Sequence, residues 1–130
     1  MKWKNDITKL LNIKYPLIQA PMLGVTTPAM VAAASRAGCL GSLPLGDLPA
    51  DKCAEAIHAT KRLISADFAV NIFVHKIPEI TKELEEKYQS AKNFIEHLAE
   101  RHGLVVSLPE LAEISTNSYQ EQLDAIISQG

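Results

Sequence analysis

The sequence predicts an α/β fold of parallel strand–helix units, and three observations carry that expectation. Strand-like and helix-like segments alternate between Leu17 and Val74 at the spacing of right-handed βαβ crossovers. The strand-like runs are close to continuously apolar, as in a parallel sheet covered on both faces. The run YPLIQAPMLGVTTP (residues 15–28) reads as strand, Pro/Gly-rich loop and capped helix start. That order puts a loop at the carboxyl end of a strand, where α/β proteins build ligand sites.

Taken in order, Asn5 or Asp6 caps a short helix through Leu11 whose apolar face is Ile7, Leu10 and Leu11. Tyr15 and Pro16 end it, and Leu17 to Ala20 form the first strand. Thr27 followed by Pro28 starts a helix with a hydroxyl cap and a proline at the first helical position. Met30, Val31, Ala33 and Ala34 supply its packing side, and Gly38 stops it in the left-handed conformation. Leu40 to Leu43 form the second strand, and Pro44 to Pro49 a loop. A further helix carries Cys53, Ala56, Ile57, Thr60 and Ile64 at helical spacing. Phe68 to Val74 form the third strand, apolar on both faces except at Asn71.

From Pro78 the pattern changes to one long amphipathic helix ending near Gly103, with Ile80, Leu84, Tyr88, Ala91, Ile95 and Leu98 on one face. Its Glu/Lys content reads most simply as a solvated face, with docking of a partner or cover of an active site by its apolar stripe as the alternative. A helical piece over Pro109 to Ile114 and a last helix over Tyr119 to Ser128 follow, the latter facing inward through Tyr119, Leu123, Ile126 and Ile127. The region around 78–115 therefore reads as a helical insertion in a single domain over 1–130. Three parallel strands leave open sheet edges and a half-formed interior, whereas a closed barrel takes eight strands and about 250 residues. Two architectures fit: a small open α/β domain, or the N-terminal portion, about three β/α units, of a (β/α)8 (TIM) barrel. The last helix matches a βα unit whose next strand is missing, which favours the incomplete barrel.

Composition narrows the function classes. Of 130 residues, 47% are hydrophobic and 22% charged, the balance of a globular domain. A formal charge of -2 with no dense basic cluster gives no footprint for nucleic acid. The lysines of residues 1–6 precede no apolar segment, and no apolar run reaches the roughly 20 residues that span a bilayer. Cys39 and Cys53 form neither a disulfide framework nor a C-x-x-C pair. A cytoplasmic, reducing setting is expected, without membrane or nucleic-acid partners.

Two features carry chemistry. Ala20, Pro21 and Met22 directly follow a strand, where backbone groups and a soft thioether can meet a flat heteroaromatic ligand; an ordinary βα turn has the same composition. No G-x-G-x-x-G or P-loop lysine accompanies them. Asn71 interrupts an apolar strand, and its carboxamide both donates and accepts, as a ligand with adjacent C=O and N–H groups requires; a neighbouring strand end or water satisfies it equally well. His58, His75, His97 and His102 form no metal-ligand pattern, and only His75 lies beyond a strand end, where a solvated loop histidine is expected. No nucleophile–base pair, carboxylate dyad or metal cluster can be assembled, so no catalytic or metal-ligating residue is assigned.

At these positions the chain resembles the nitronate monooxygenase (2-nitropropane dioxygenase) family. The likeness rests on YPLIQAPM (15–22), GVTTP (24–28), SRAG (35–38) with LGS (40–42), FAVNIFV (68–74) and YQEQLDAII (119–127). The resemblance implies an FMN-dependent (β/α)8 barrel that oxidatively denitrifies alkyl nitronates with O2, with Ala20, Pro21 and Met22 against the flavin ring and Asn71 hydrogen-bonded to it. The family's histidine base, phosphate-binding glycines and glutamine-containing flavin loop belong to segments beyond Gly130, so the chain alone is expected to be inactive, or at best a weak flavin binder. Cys39 replaces the second of a usual glycine pair, and Pro44 stands in a normally Gly-rich turn. Related flavin barrels share the QAPM type, which leaves a truncated FMN-dependent enoyl-acyl carrier protein reductase as an alternative. A non-catalytic product of a split gene, completed by a second chain or by self-association, is the alternative from another class.

Overall fold

The computed structural model describes residues 3–129, so Met1, Lys2 and Gly130 lie outside the described residues. The elements are α1 (Asp6–Leu10), α2 (Pro28–Arg36), β1 (Ser42–Gly46), α3 (Ala50–Lys61), β2 (Ala69–Ile72), α4 (Lys82–Arg101), a 3-10 turn (Leu111–Glu113) and α5 (Tyr119–Ser128). They fall into two compact units. One comprises the chain up to His75 together with the residues from Asn117 onward; the other is Lys76–Thr116.

In the first unit β1 and β2 pair in parallel, Ser42 opposite Ala69, Leu43 opposite Val70 and Pro44 opposite Asn71, before an irregularity at Leu45 brings Gly46 opposite Ile72. The expected first strand is reduced to one parallel bridge, Ile18 to Leu40. Leu40 N–H donates to Leu17 C=O (2.9 Å) and Gln19 N–H to Leu40 C=O (2.8 Å), while Gly41 C=O accepts from Ala69 N–H (2.8 Å). Segment 17–19 and β2 therefore flank β1 on opposite edges. Leu17 and Ile18 are exposed rather than buried, because no further layer covers them among the described residues.

The helices lie on one face of this sheet. Val31, Leu43, Leu45, Cys53 and Ile57 form the core, with Val70, Ile72 and Ile126 packed against it. Strand alternation then turns Ser42, Pro44, Ala69 and Asn71 to the opposite face. β1 is buried along its whole length, but β2 is only half-buried and Phe73 and Val74 are exposed. The expectation that the third strand is covered on both faces thus holds for β1 instead. Gly41 sets the closeness of the helical layer: a Cβ there would stand 2.4 Å from Val31 C=O.

Local signals place the starts of α1 and α2 as expected, whereas α4, expected from Pro78, begins at Lys82. Thr27 caps α2 by accepting from Met30 N–H, with Pro28 at the first position, and Gly38 follows the helix with φ 90°. Inward faces differ. In α2, Val31 and Ala32 are buried, whereas Met30 and Ala33 are exposed. In α1, Thr8 is buried while Ile7 and Leu10 are exposed. The Thr8 hydroxyl accepts from Asn5 N–H and its own N–H donates to the Asn5 side chain, a reciprocal cap that draws it inward. β1 extends through Pro44 to Gly46, residues expected in a loop. Ser42 N–H donates to Gln19 Oε1 (3.0 Å), away from β2. Pro44, two residues on, faces the same way, so its missing donor costs the β1–β2 ladder nothing.

The unit Lys76–Thr116 is α4 and the segment folded against it. Thr81 caps α4 by accepting from Leu84 N–H at 3.2 Å. Tyr88 donates to Pro109 C=O (2.7 Å), Glu96 accepts from Leu108 N–H (2.9 Å), and Lys92 pairs with Glu110. The apolar stripe is only partly used: Leu84 and Tyr88 are half-buried, Ile80, Ala91, Ile95 and Leu98 exposed, and Ala99 buried. The segment expected as a helix from Pro109 is a single 3-10 turn. No helix among the described residues is long and apolar enough to cross a membrane.

Candidate functional site

Because the β segments run parallel, their carboxyl ends gather on one side of the first unit. Residues 20–24 follow the bridge at Ile18, 47–49 follow β1, and 73–75 follow β2. Ala20 and Met22 are exposed, Met22 at 44%, and Pro21 is half-buried. Asn71 is half-buried on the face opposite the helices, one residue before the end of β2 and in register with Pro44. β1 lies between the first loop and Asn71, two inter-strand spacings or about 10 Å. The side chain of Asn71 bonds to no protein atom among the described residues. His75 is exposed, and no group of three metal-ligating side chains occurs among the described residues.

The first loop owes its shape to two residues the sequence did not single out. Thr26 Oγ1 donates to Ala20 C=O (3.2 Å) and accepts from Met22 N–H (3.1 Å) and Gln19 Nε2 (3.2 Å). Gln19 in turn donates to Ala20 C=O and accepts from Ser42 N–H, tying the loop to β1. Met22 C=O accepts from Val25 and Thr26 N–H. Ala20, Leu23 and Gly24 N–H and Pro21, Leu23 and Gly24 C=O are left without a partner among the described residues, so the loop offers a ligand both donors and acceptors besides the Met22 thioether.

A second cluster holds the loop after β1. Gln122 is 1% exposed and its Nε2 donates to Gly46 C=O (3.2 Å) and Leu48 C=O (2.7 Å). Asn117 donates to Asp47 C=O. Gly46 C=O also accepts from Phe73 N–H at 2.9 Å, joining the ends of β1 and β2. The Leu23 side chain closes over Gly46, where a Cβ would stand 2.6 Å from Leu23 Cδ2. Gln122 was missed because the inward face of α5 was expected to be Tyr119, Leu123, Ile126 and Ile127. Leu123 and Ile127 are instead exposed, since the buried position meets a row of loop carbonyls that only a donor can satisfy. Next to it Cys53, fully buried, has its thiol pushed up by desolvation, against the lowering influence of the Gln122 amide.

A cavity of about 540 Å³ lies elsewhere, lined by Ile57, Ile64, Phe68, Val70 and Ile126 with Lys61 at its edge. It opens between α3 and α5 at the amino end of β2, away from the three loops. Its position assigns it to the helical layer rather than to the loop site.

The nitronate monooxygenase family profile matches residues 4–128. Over 130 residues the chain is 32% identical to a probable nitronate monooxygenase of Staphylococcus saprophyticus subsp. saprophyticus, covering all of this chain and 35% of that protein. Over 69 residues it is 48% identical to a nitronate monooxygenase of Pseudomonas aeruginosa, covering 53% of this chain and 20% of the other. The chain thus spans about a third or less of these relatives. A nitroalkane oxidase from Streptomyces ansochromogenes superposes on 94% of this chain and 33% of its own with a TM-score of 0.71 and 26% identity. FabK from Thermotoga maritima superposes on 78% of this chain and 37% of its own with a TM-score of 0.53 and 23% identity, a likeness of fold alone. The fold is that of part of a (β/α)8 barrel.

Proposed function

The chain belongs to the nitronate monooxygenase family, and on that premise we propose that it forms one wall of an FMN site in an enzyme that oxidises alkyl nitronates with O2. The observation that carries the reading is Asn71: a half-buried carboxamide without a protein partner among the described residues, on the face of the sheet opposite α2 and α3. One acceptor and two donors on one planar group suit a ring edge that alternates C=O and N–H. The polar groups left over at Ala20 and Pro21, the exposed Met22 thioether and Asn71 together fit a flat, polar-edged heteroaromatic group.

In this reading Asn71 fixes the rotation of the ring in its plane, and Met22 packs against its face. Thr26 and Gln19 keep the first loop in one shape, so that little ordering cost falls on binding. FMN, when bound, supplies the redox chemistry, while the protein supplies binding, orientation and electrostatics. The nitronate is the small-molecule partner of the whole enzyme. None of the residues described here is assigned to proton transfer.

Titration of the purified chain with FMN, followed by flavin fluorescence, tests the reading. Saturable quenching is expected, with Asn71→Leu binding about tenfold more weakly for each hydrogen bond lost. Equal affinity for Asn71→Leu and the unaltered chain would remove Asn71 from the site.

A further inference from the structure

We propose that Asn117 and Gln122, on α5 and the residue stretch leading into it, are positioning residues that clamp the loop Gly46–Leu48 and through it seat the Met22 loop. Three consecutive carbonyls at the carboxyl end of β1 are each held by a side-chain amide from this one segment. Gln122 takes Gly46 and Leu48, and Asn117 takes Asp47. Seventy-odd residues of chain separate donors from acceptors, so local turn chemistry does not explain the pairing. Gln122 is buried to 1% exposure, and only a neutral amide satisfies its surroundings. A carboxylate would face two carbonyl oxygens, and an apolar side chain would leave Leu48 C=O only the weak Cys53 thiol at 3.6 Å.

The consequence passes to the first loop by contact. Leu23 rests on Gly46, which has φ 52° and no Cβ to hold it off. Fixing Gly46 fixes the floor under Leu23, and Leu23 is the neighbour of Met22. The clamp also sets where the exposed Asp47 projects at the loop mouth. A helix on the outer layer thereby governs two of the three loops at the ligand side. The effect on ligand affinity rests on the FMN reading; the clamp itself does not.

The experiment compares Gln122→Met, Gln122→Glu and Asn117→Ala with Ile57→Val, a core truncation at the cavity by the amino end of β2, in the 130-residue chain. Hydrogen exchange and FMN titration are the readouts. Amides of residues 46–48 and Phe73 are expected to exchange about tenfold faster in Gln122→Met than in Ile57→Val, with amides of α2 matching between the two. FMN affinity is expected to fall several-fold in Gln122→Met and further in Gln122→Glu, while Ile57→Val keeps it. Loop exchange that changes only in step with α2 would overturn the clamp, as would unaltered FMN affinity in a chain that binds FMN. A chain that binds no FMN at all would defeat the flavin reading, and loop exchange would then decide the clamp by itself. Should Gln122→Glu fail to fold, Asn117→Ala carries the comparison, since its amide holds a single exposed carbonyl.

Discussion

A hydroxyl at position 26 gathers three groups that would otherwise compete to set the shape of the first loop. Thr26 Oγ1 lies within hydrogen-bond reach of Ala20 C=O, Met22 N–H and Gln19 Nε2, and each of these belongs to the turn on which Met22 is mounted. Thr26→Val keeps the shape of the side chain and removes the hydroxyl, so it should cost about 1–2 kcal/mol, with Thr26→Ser close to neutral. Urea unfolding of the two variants checks this, and equal midpoints would show that the loop is held by its backbone alone. Cys53 supplies a second prediction through its pKa. Burial raises the folded-state thiol above its ordinary 9.0, so the unfolded chain binds fewer protons at alkaline pH. The contribution is complete below pH 9.0 and is lost as pH rises above that toward the folded-state value. Unfolding midpoints should therefore fall more steeply above pH 9 in the unaltered chain than in Cys53→Ala. Parallel pH profiles would mean that the thiol ionises as readily folded as unfolded.

At the scale of elements, the contact between α2 and the strand line at Gly41 is the tightest constraint in the first unit. An added Cβ would press on Val31 C=O at 2.4 Å and on the Val31 and Ser35 side chains. Backbone cannot yield as a flexible side-chain tip does, so Gly41→Ala should destabilise by about 1–3 kcal/mol through overpacking. Thermal melts of this variant against Ala37→Gly, which relaxes an exposed position next to α2, separate overpacking from a general loss of helix. Such contacts also explain what could be read in advance. The helix start at Thr27 and the stop at Gly38 were legible because caps involve residues three or four apart, whereas α4, expected from Pro78, begins only behind its Thr81 cap. The first strand was not, because Leu17 to Ala20 has the composition of a strand but a single bridge for pairing. Pro44 misled for the opposite reason: a proline argues against a strand unless its nitrogen faces off the ladder, and only the Ser42–Gln19 bond reveals that it does. In the candidate site Asn71 stood out as an amide in an apolar run. Gln19, Thr26 and Gln122 act through partners that only the fold brings close.

At the scale of the whole molecule, the first unit is discontinuous in sequence, and α5 returns to it after Lys76–Thr116. What holds α5 is the buried Gln122 amide, Ile126 packed on the core, and the Lys61 ammonium donating to Gln129 C=O. Residues 73–81, by contrast, carry no regular secondary structure and are exposed throughout. Backbone of that kind is where proteases cut, because it can enter a protease cleft without unfolding anything else. Brief trypsin treatment should therefore nick the chain after Lys76 and leave β1, β2, α2 and α3 on one fragment with α5 on the other. The apolar contact of Ile126 and the two carbonyl bonds of Gln122 do not depend on covalent continuity at that point. The fragments should stay together in native size-exclusion chromatography and separate only in denaturant, and Gln122→Glu should weaken that association. Fragments of unaltered sequence that elute apart would mean that α5 is held by the chain rather than by its contacts with α3 and the loop after β1.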